Sequence, residues 1–224
     1  MRVAALVTLI FGLITLGVFV GFRFLPEVQA ATMLGDLPGF VSQFQRVEKP
    51  ADLAVLFGVP PDAGSIAAMN ALNTLDLYAF IPAFTIFLIA GVFMVAGAPK
   101  GPLPWAAIIF VLVGAGADVI ETTRQLGVAH DMSNAPAYLP IAPWHWLKYA
   151  TLGLNGLAVA GLCFLRPPRR FVLGFAALLP LPAVLAAWAG LAEPRLFAIA
   201  LTIYWVALLA AAGVSVVRAK GASA

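Results

Sequence analysis

The chain has 224 residues, of which 62% are hydrophobic and only 10% are charged, and its mean hydropathy is +1.00. Soluble domains carry about 25% charged residues, so this composition excludes a protein whose surface lies mainly in water. The net charge of +3 does not indicate a nucleic-acid partner, because the basic residues are scattered at loop ends and form no stripe with interleaved aromatic residues.

Six apolar segments of about 20 residues follow one another, each long enough to cross a hydrocarbon layer of roughly 30 Å. They predict an all-α integral membrane protein, a bundle of six transmembrane helices that forms a single polytopic domain over residues 1–224. Pro180 and Pro182 interrupt the fifth segment and should kink it. The predicted spans are Val3–Phe22, Leu77–Gly97, Leu103–Thr123, Trp144–Leu165, Phe171–Leu191 and Leu196–Val217.

The first segment is interpreted as a true span. The stretch "VQA" at residues 28–30 resembles a signal-peptidase site. However, the apolar run before it is longer than the roughly 7–15 residues of a signal-peptide core. We therefore expect this segment to be retained.

The ten Asp and Glu residues fall on one side of the predicted spans, whereas seven of the 13 Lys and Arg residues fall on the other side and six lie among the acids. If the N-terminus is cytoplasmic, all ten Asp and Glu residues fall on the outer side. The positive-inside rule then predicts that both termini are cytoplasmic, in a bacterial cytoplasmic membrane. The basic residues at the cytoplasmic ends are Arg2, Lys100, Arg166, Arg169, Arg170, Arg218 and Lys220.

The two outer loops, residues 23–74 and 127–143, are longer than the cytoplasmic connections. In the first loop, apolar residues at helical spacing predict a short amphipathic helix at the membrane surface. The stretch "SIAAMNALNTLD" should continue as a helix into the second span. The apolar residues of the amphipathic helix are Leu37, Phe40, Val41 and Phe44.

The third span ends in "GAGADVIETTRQL", which places ionisable residues where a membrane span does not need them. Asp118 and Glu121 are three residues apart and share a helix face, which Gln125 continues. Asp118 lies roughly 9 Å below Arg124 along the helix, at or inside the edge of the hydrocarbon layer. Ionisable residues at such depth normally face the bundle interior or a wet cavity.

The second and fourth spans carry polar residues at the same outer end. In "WHWLKYATLGLN", His145, Lys148 and Asn155 fall on one face, with Asn155 about 15 Å deeper than His145. Asp76 opens the second span. These positions predict an outer-facing polar pocket between the second, third and fourth spans.

Within this pocket, Asp118 and Glu121 are the predicted catalytic residues, because a carboxyl group in an apolar site can act as an acid or base near neutral pH. Two structural alternatives remain. The same charges can form a salt-bridge network that holds the helix ends together, and a lysine can extend to the lipid head groups. The predicted ligand-binding residues are Asp76, Arg124, His145, Lys148 and Asn155.

No cofactor is predicted. Asp118, Glu121 and His145 offer oxygen and nitrogen ligands, but no HExxH-type or Cys/His ligand spacing accompanies them. A metal site is therefore a minor alternative. The chain has one cysteine, Cys163, which excludes an intrachain disulfide.

These patterns favour a membrane protein that binds, or acts by acid/base chemistry on, a lipid or another apolar small molecule. The alternative is a non-catalytic subunit of a larger membrane complex, with the outer loops as its docking surface. A transporter is less favoured, because alternating access needs binding groups near the midplane, and here the polarity is one-sided. The expected partners are membrane lipids, an apolar ligand and other membrane proteins.

Overall fold

The computed structural model describes residues 2–31 and 36–221, with side chains to residue 218. Within these ranges every regular element is helical, and six helical segments are long and apolar enough to span a membrane. The prediction of an all-α membrane protein with six spans is therefore confirmed. The six segments are Arg2–Ala30, Ala63–Ala96, Pro102–His130, Ala142–Leu165, Phe171–Trp188 and Arg195–Arg218.

The predicted elements of the first long loop are helices in the structure. The amphipathic stretch forms α3 (Leu37–Phe44). The stretch "SIAAMNALNTLD" lies in α5 (Ala63–Leu75) and continues into the second span through a π turn, Asp76–Phe80. Two short 3-10 segments, Phe22–Phe24 and Met132–Tyr138, complete the described elements. The α-helices are α1 Arg2–Gly21, α2 Pro26–Ala30, α3 Leu37–Phe44, α4 Pro50–Phe57, α5 Ala63–Leu75, α6 Ile81–Ala96, α7 Pro102–His130, α8 Ala142–Leu165, α9 Phe171–Leu178, α10 Pro180–Trp188 and α11 Arg195–Gly221.

The third span is longer than predicted. Its helix continues to His130, beyond the predicted end at Thr123, so the loop predicted for residues 127–143 begins inside α7. The extension is stabilised by packing, because Val128 is buried in a hydrophobic core outside the apolar run. At 1.5 Å per residue, the 29 residues of α7 extend over about 44 Å, which exceeds a hydrocarbon layer of roughly 30 Å.

The predicted kink in the fifth span is confirmed as a break between two helices. Helix α9 ends at Leu178, and α10 begins at Pro180, which has no N–H to continue the backbone ladder. The second helix ends at Trp188, three residues before the predicted end at Leu191. The reason is the turn that follows, in which Gly190 adopts a φ of 70°.

Two glycines of α8 allow a close approach to this break. A Cβ atom on Gly156 would lie 2.5 Å from the carbonyl oxygen of Ala177, and one on Gly153 would lie 2.9 Å from the Cα of Leu181. Small residues let two membrane helices pack with their backbones in contact. The fourth span therefore packs against the fifth through glycine.

The contacts divide the chain into two compact units with opposite charge. One unit, which we call the basic unit, comprises Met1–Thr15, Ala83–Ala115 and Lys148–Ala224, and the other, the acidic unit, comprises Leu16–Pro82 and Gly116–Leu147. The acidic unit contains nine of the ten Asp and Glu residues and four of the 13 Lys and Arg residues.

The acidic unit has a hydrophobic core of its own. Residues 22–31 and 36–62, which we call the cap, pack on the ends of α5 and α7 and on the residues that precede α8. The ring centroids of Phe44 and Phe57 lie 5.2 Å apart in an edge-to-face contact. The N–H of Ile141 donates a hydrogen bond of 2.9 Å to the carbonyl oxygen of Val47. The buried members are Val28, Ala31, Phe44, Val47, Leu53, Leu56, Phe57, Ala68, Met69, Leu72, Val128, Ala135 and Ile141.

Several other acids of the acidic unit precede helical segments and do not belong to the predicted site. Asp62 precedes α5 and accepts a hydrogen bond of 2.7 Å from the Ser65 N–H, and hydrogen bonds from Ser65 lower the pKa of Asp62. Asp131 precedes the second 3-10 segment, and the Ser133 hydroxyl, 2.6 Å away, lowers the pKa of Asp131. Both carboxylates satisfy N–H groups at the start of a helical segment.

Candidate polar site in the acidic unit

Helix α7 buries one polar face in the acidic unit. Its four members are at most 3% exposed, whereas Val119 and Ile120 on the other side are about 40% and 37% exposed. At 100° per residue, the four positions fall within an arc of about 100°. Thr122 is a member that the sequence analysis missed, because a threonine in a span usually bonds only to its own helix. The members are Asp118, Glu121, Thr122 and Gln125.

Glu121 faces a histidine of the fourth span. Its Oε1 lies 3.7 Å from the Nδ1 of His145, and both side chains are buried. The separation is within ion-pair distance, although it is longer than a direct hydrogen bond of about 2.7–3.2 Å. A carboxyl group and an imidazole are the side chains that most often donate or accept protons in acid/base catalysis.

A second contact joins the second and third spans. The Thr122 hydroxyl donates a hydrogen bond of 2.8 Å to Oδ2 of Asp76. Asp76 begins the π turn, in which the Ile81 N–H donates to the Asp76 carbonyl oxygen. Pro82 has no N–H and cannot continue the usual α-helical pattern, which accounts for the wider turn. Single π turns within helices are frequent at functional sites.

Two buried amides lie next to this contact along their helices. Asn73 lies one turn before Asp76 and is 8% exposed, and Gln125 lies one turn after Thr122 and is 2% exposed. The amide nitrogens, Nδ2 of Asn73 and Nε2 of Gln125, have no hydrogen-bond acceptor in the part of the chain that the structure describes. Seven residues of the acidic unit are called the polar cluster below: Asn73, Asp76, Asp118, Glu121, Thr122, Gln125 and His145.

Arg124 is held by the segment that follows α7. Its Nη1 donates a hydrogen bond of 3.0 Å to the Tyr138 carbonyl oxygen, and its guanidinium carbon lies 5.9 Å from the ring centroid of Trp144. Gly127 permits this arrangement, because a Cβ atom there would overlap the ring of Tyr138. The predicted role of Arg124 in ligand binding is not needed to explain its position, and it stays a prediction.

Lys148 and Asn155 belong to the basic unit, and their predicted role in ligand binding stays a prediction. The Asn155 Nδ2 donates to the Ala107 carbonyl oxygen, and the Tyr204 hydroxyl donates to Oδ1, both at 3.1 Å. Asn155 therefore bonds to the third and sixth spans. The Nζ of Lys148 lies 4.9 Å from the ring centroid of Tyr149.

Replacing Asn155 by leucine should destabilise the protein without affecting the polar cluster. The change leaves the buried Tyr204 hydroxyl without its acceptor, and we expect a loss of about 1–2 kcal/mol in the free energy of unfolding. Denaturant titration in mixed micelles measures it, with Tyr204→Phe as the matched variant that removes the donor. Wild-type stability combined with impaired lipid binding would instead assign Asn155 to a ligand.

Six of the seven residues of the polar cluster are buried, and the described cluster offers no preformed metal centre. Among residues 2–31 and 36–221, no three His, Cys, Asp or Glu side chains are arranged to hold one metal ion. Two open grooves lie elsewhere, one of about 520 Å³ between α1 and α6 and one of about 580 Å³ between α2 and α5. Neither groove is lined by a residue of the polar cluster.

Comparison with known proteins does not assign the chain to a family. No protein-family model, no curated protein and no solved structure matches the chain. The function is therefore inferred from the polar cluster itself.

Proposed function

We propose that the polar cluster binds a lipid or another apolar small molecule and exchanges a proton with it. The observation that carries the proposal is the buried pair formed by Glu121 and His145, with 3.7 Å between its nearest atoms. Removing such a pair from water costs several kcal/mol per ion. Ionisable residues within membrane spans are rare for this reason and usually mark a functional site.

The residues of α7 and α8 supply acid/base chemistry in this proposal. Either Glu121 or His145 accepts a proton from the ligand and returns it, and exclusion of water strengthens the interaction between them. Asp118, one turn away on the same buried face, completes the set of ionisable groups.

The position of the cluster along α7 suits a lipid-like molecule. Glu121 follows Pro102, the first residue of the helix, by 19 residues, or about 28 Å at 1.5 Å per residue. A hydrocarbon layer is roughly 30 Å thick. If α7 enters that layer near Pro102, the cluster lies at the boundary between acyl chains and head groups.

Native mass spectrometry of the purified protein tests the proposal. We expect one apolar molecule to remain bound per chain after detergent exchange, and to be displaced by an excess of a short-chain neutral lipid such as dioctanoylglycerol. A chain that carries no small molecule, and binds none that is added, would contradict the proposal.

For the membrane orientation we propose a bacterial cytoplasmic membrane with both termini in the cytoplasm. The support is the distribution of charge: the loop residues Lys100, Arg166, Arg169 and Arg170 have no acid among them, whereas nine acids fall in the acidic unit. Lys and Arg concentrate on the cytoplasmic side of membrane proteins.

Cysteine labelling tests this orientation. In a Cys163→Ala background, Ala137→Cys should react with an impermeant maleimide on intact cells, because Ala137 is exposed next to Tyr138 in the 3-10 segment. Ala98→Cys, in the loop between the second and third spans, should react only after permeabilisation. The opposite pattern of labelling would reverse the orientation.

A second candidate function is that of a non-catalytic subunit, with the cap as docking surface. Val55 and Val59 of the cap are 84% and 85% exposed although neither lies in a membrane span. Exposed apolar side chains of this kind suit a protein partner. If they dock one, the wild type extracted in a mild detergent should sediment as a larger complex than the Val55→Ser, Val59→Ser protein.

A further inference from the structure

We infer that the ligand of the polar cluster presents an uncharged carbonyl oxygen, as in an ester, amide or ketone, to the side-chain amides of Asn73 and Gln125. The inference rests on the proposed function, because it names the chemistry of the molecule bound beside Glu121 and His145.

The starting observation is the pair of buried amide nitrogens without an acceptor. Nδ2 of Asn73 and Nε2 of Gln125 are buried and make no hydrogen bond to any described residue. The large majority of buried polar side-chain atoms in proteins have a partner, and an exception needs an explanation such as an absent ligand. Both nitrogens belong to the acidic unit, which is also the unit that holds the Glu121–His145 pair.

The contact between Thr122 and Asp76 places the two amides at one level. Helices joined by a short connection run antiparallel, and residues 97–101 are all that separates the second span from the third. The 2.8 Å hydrogen bond from Thr122 to Asp76 fixes where they meet. Asn73 lies three residues before Asp76, and Gln125 lies three residues after Thr122. Because the helices are antiparallel, both are displaced in the same direction from the contact, by about 4.5 Å, and lie at the same height.

Both groups donate, so the ligand atom must accept. An amide nitrogen offers two N–H donors and no lone pair for a ligand donor. A carbonyl oxygen has two lone pairs and can accept from both amides at once. The shared level of Asn73 and Gln125 therefore matches a single carbonyl oxygen between the two helices.

The charge of the acidic unit favours an uncharged acceptor over a phosphate. Asp76, Asp118 and Glu121 belong to the polar cluster, which as defined contains no Lys or Arg, so a phosphate would add negative charge to an acidic site. The basic side chain nearest in sequence, Arg124, already donates to the Tyr138 carbonyl oxygen and lies against Trp144. The proposed depth, at the boundary of the hydrocarbon layer, is also where membrane glycerolipids carry their ester carbonyls.

A matched pair of probes tests the inference on the full-length protein in detergent. Dioctanoylglycerol has two ester carbonyls, whereas dioctylglycerol has the same chain length and the same free hydroxyl but two ether linkages in place of the esters. We expect the wild type to bind the diester about tenfold more tightly than the diether, because in the diether complex the buried amide N–H groups lack a carbonyl acceptor. Calorimetric titration measures both affinities.

Two near-isosteric variants assign the effect to the amides. Asn73→Leu and Gln125→Met should each lower the affinity for dioctanoylglycerol about two- to tenfold and leave the affinity for dioctylglycerol unchanged. Their melting temperatures should equal or exceed that of the wild type, because an apolar group replaces a buried donor that has no acceptor. Asn70→Leu is the control, since Asn70 is exposed on the same helix one turn earlier.

Each other outcome overturns the inference. If the wild type binds diester and diether equally, the ligand is not recognised through a carbonyl oxygen. If both variants keep the wild-type affinity for the diester, the amides of Asn73 and Gln125 do not bind it. Lower melting temperatures would mean that the amides are bonded within the fold, for example through ordered water. Tighter binding of dioctanoyl phosphatidic acid than of dioctanoylglycerol would remove the uncharged acceptor.

The same titrations separate this inference from the proposed function. If the wild type binds both probes equally and Glu121→Gln binds neither, the proposed function stands and the carbonyl inference fails. If no probe binds the wild type, the proposed function fails, and the inference fails with it.

Discussion

The Glu121→Gln protein should fold like the wild type and lose its affinity for dioctanoylglycerol by about tenfold or more, or its turnover by about a hundredfold or more if the cluster is catalytic. Glutamine keeps the volume and polarity of the side chain, but it cannot accept or release a proton. The His145 imidazole, 3.7 Å away, would lose the carboxyl group that faces it. Titration of the probe together with a denaturation midpoint gives both readouts.

The control for this change is another acid of the same unit. Glu27 is exposed in α2, and Glu27→Gln should change neither affinity nor stability. Asp118→Asn should resemble Glu121→Gln, because Asp118 shares the buried face of α7. If both buried amide variants instead unfold several degrees earlier and bind the probe normally, the charges hold helix ends together and the proposal is wrong.

Gly156→Val should destabilise the protein more than any change in the polar cluster. The added Cβ would lie 2.5 Å from the Ala177 carbonyl oxygen, a backbone atom that cannot rotate away. Overpacking in a well-packed core typically costs 1–3 kcal/mol and occasionally more, and we expect about 3 kcal/mol for this variant. Denaturant titration in mixed micelles measures the loss.

Gly116→Ala is the matched control in the third span. No atom lies within 4 Å of a Cβ placed on Gly116, and alanine is favoured over glycine in a helix by up to about 1 kcal/mol. This variant should therefore be as stable as the wild type or slightly more stable. Similar losses in Gly116→Ala and Gly156→Val would show that the fourth span does not pack on the fifth in the way described.

The spans were predictable because hydrophobic length and proline act locally. The six apolar runs, the break at Pro180 and helix α3 all follow from residues that are neighbours in sequence. The extension of α7 to His130 did not follow, because its stabilisation comes from Val128 packing in the core of the cap. Partners from distant segments decide where such a helix ends.

For the candidate site, the sequence predicted which residues share a face of one helix but not which residues of other helices they contact. Three-residue spacing placed Asp118 and Glu121 together, and both are buried. In the fourth span, spacing gave His145 and Asn155 the same predicted role, yet His145 faces Glu121 and Asn155 bonds to Ala107 and Tyr204. Periodicity gives the direction in which a side chain points, but the partner at each depth depends on how the helices pack.

The core of the cap and the membrane spans are stabilised by different interactions. Phe44, Phe57 and the other buried residues of that core gain free energy by leaving water, which gives their unfolding a large positive heat capacity. Between membrane helices, where lipid is as apolar as the side chains, this driving force is absent, and packing and hydrogen bonds remain. Cooling or osmolytes should therefore act mainly on the cap, and a single melting temperature would combine two transitions. Hydrogen exchange followed segment by segment would separate cap opening from unfolding of the spans.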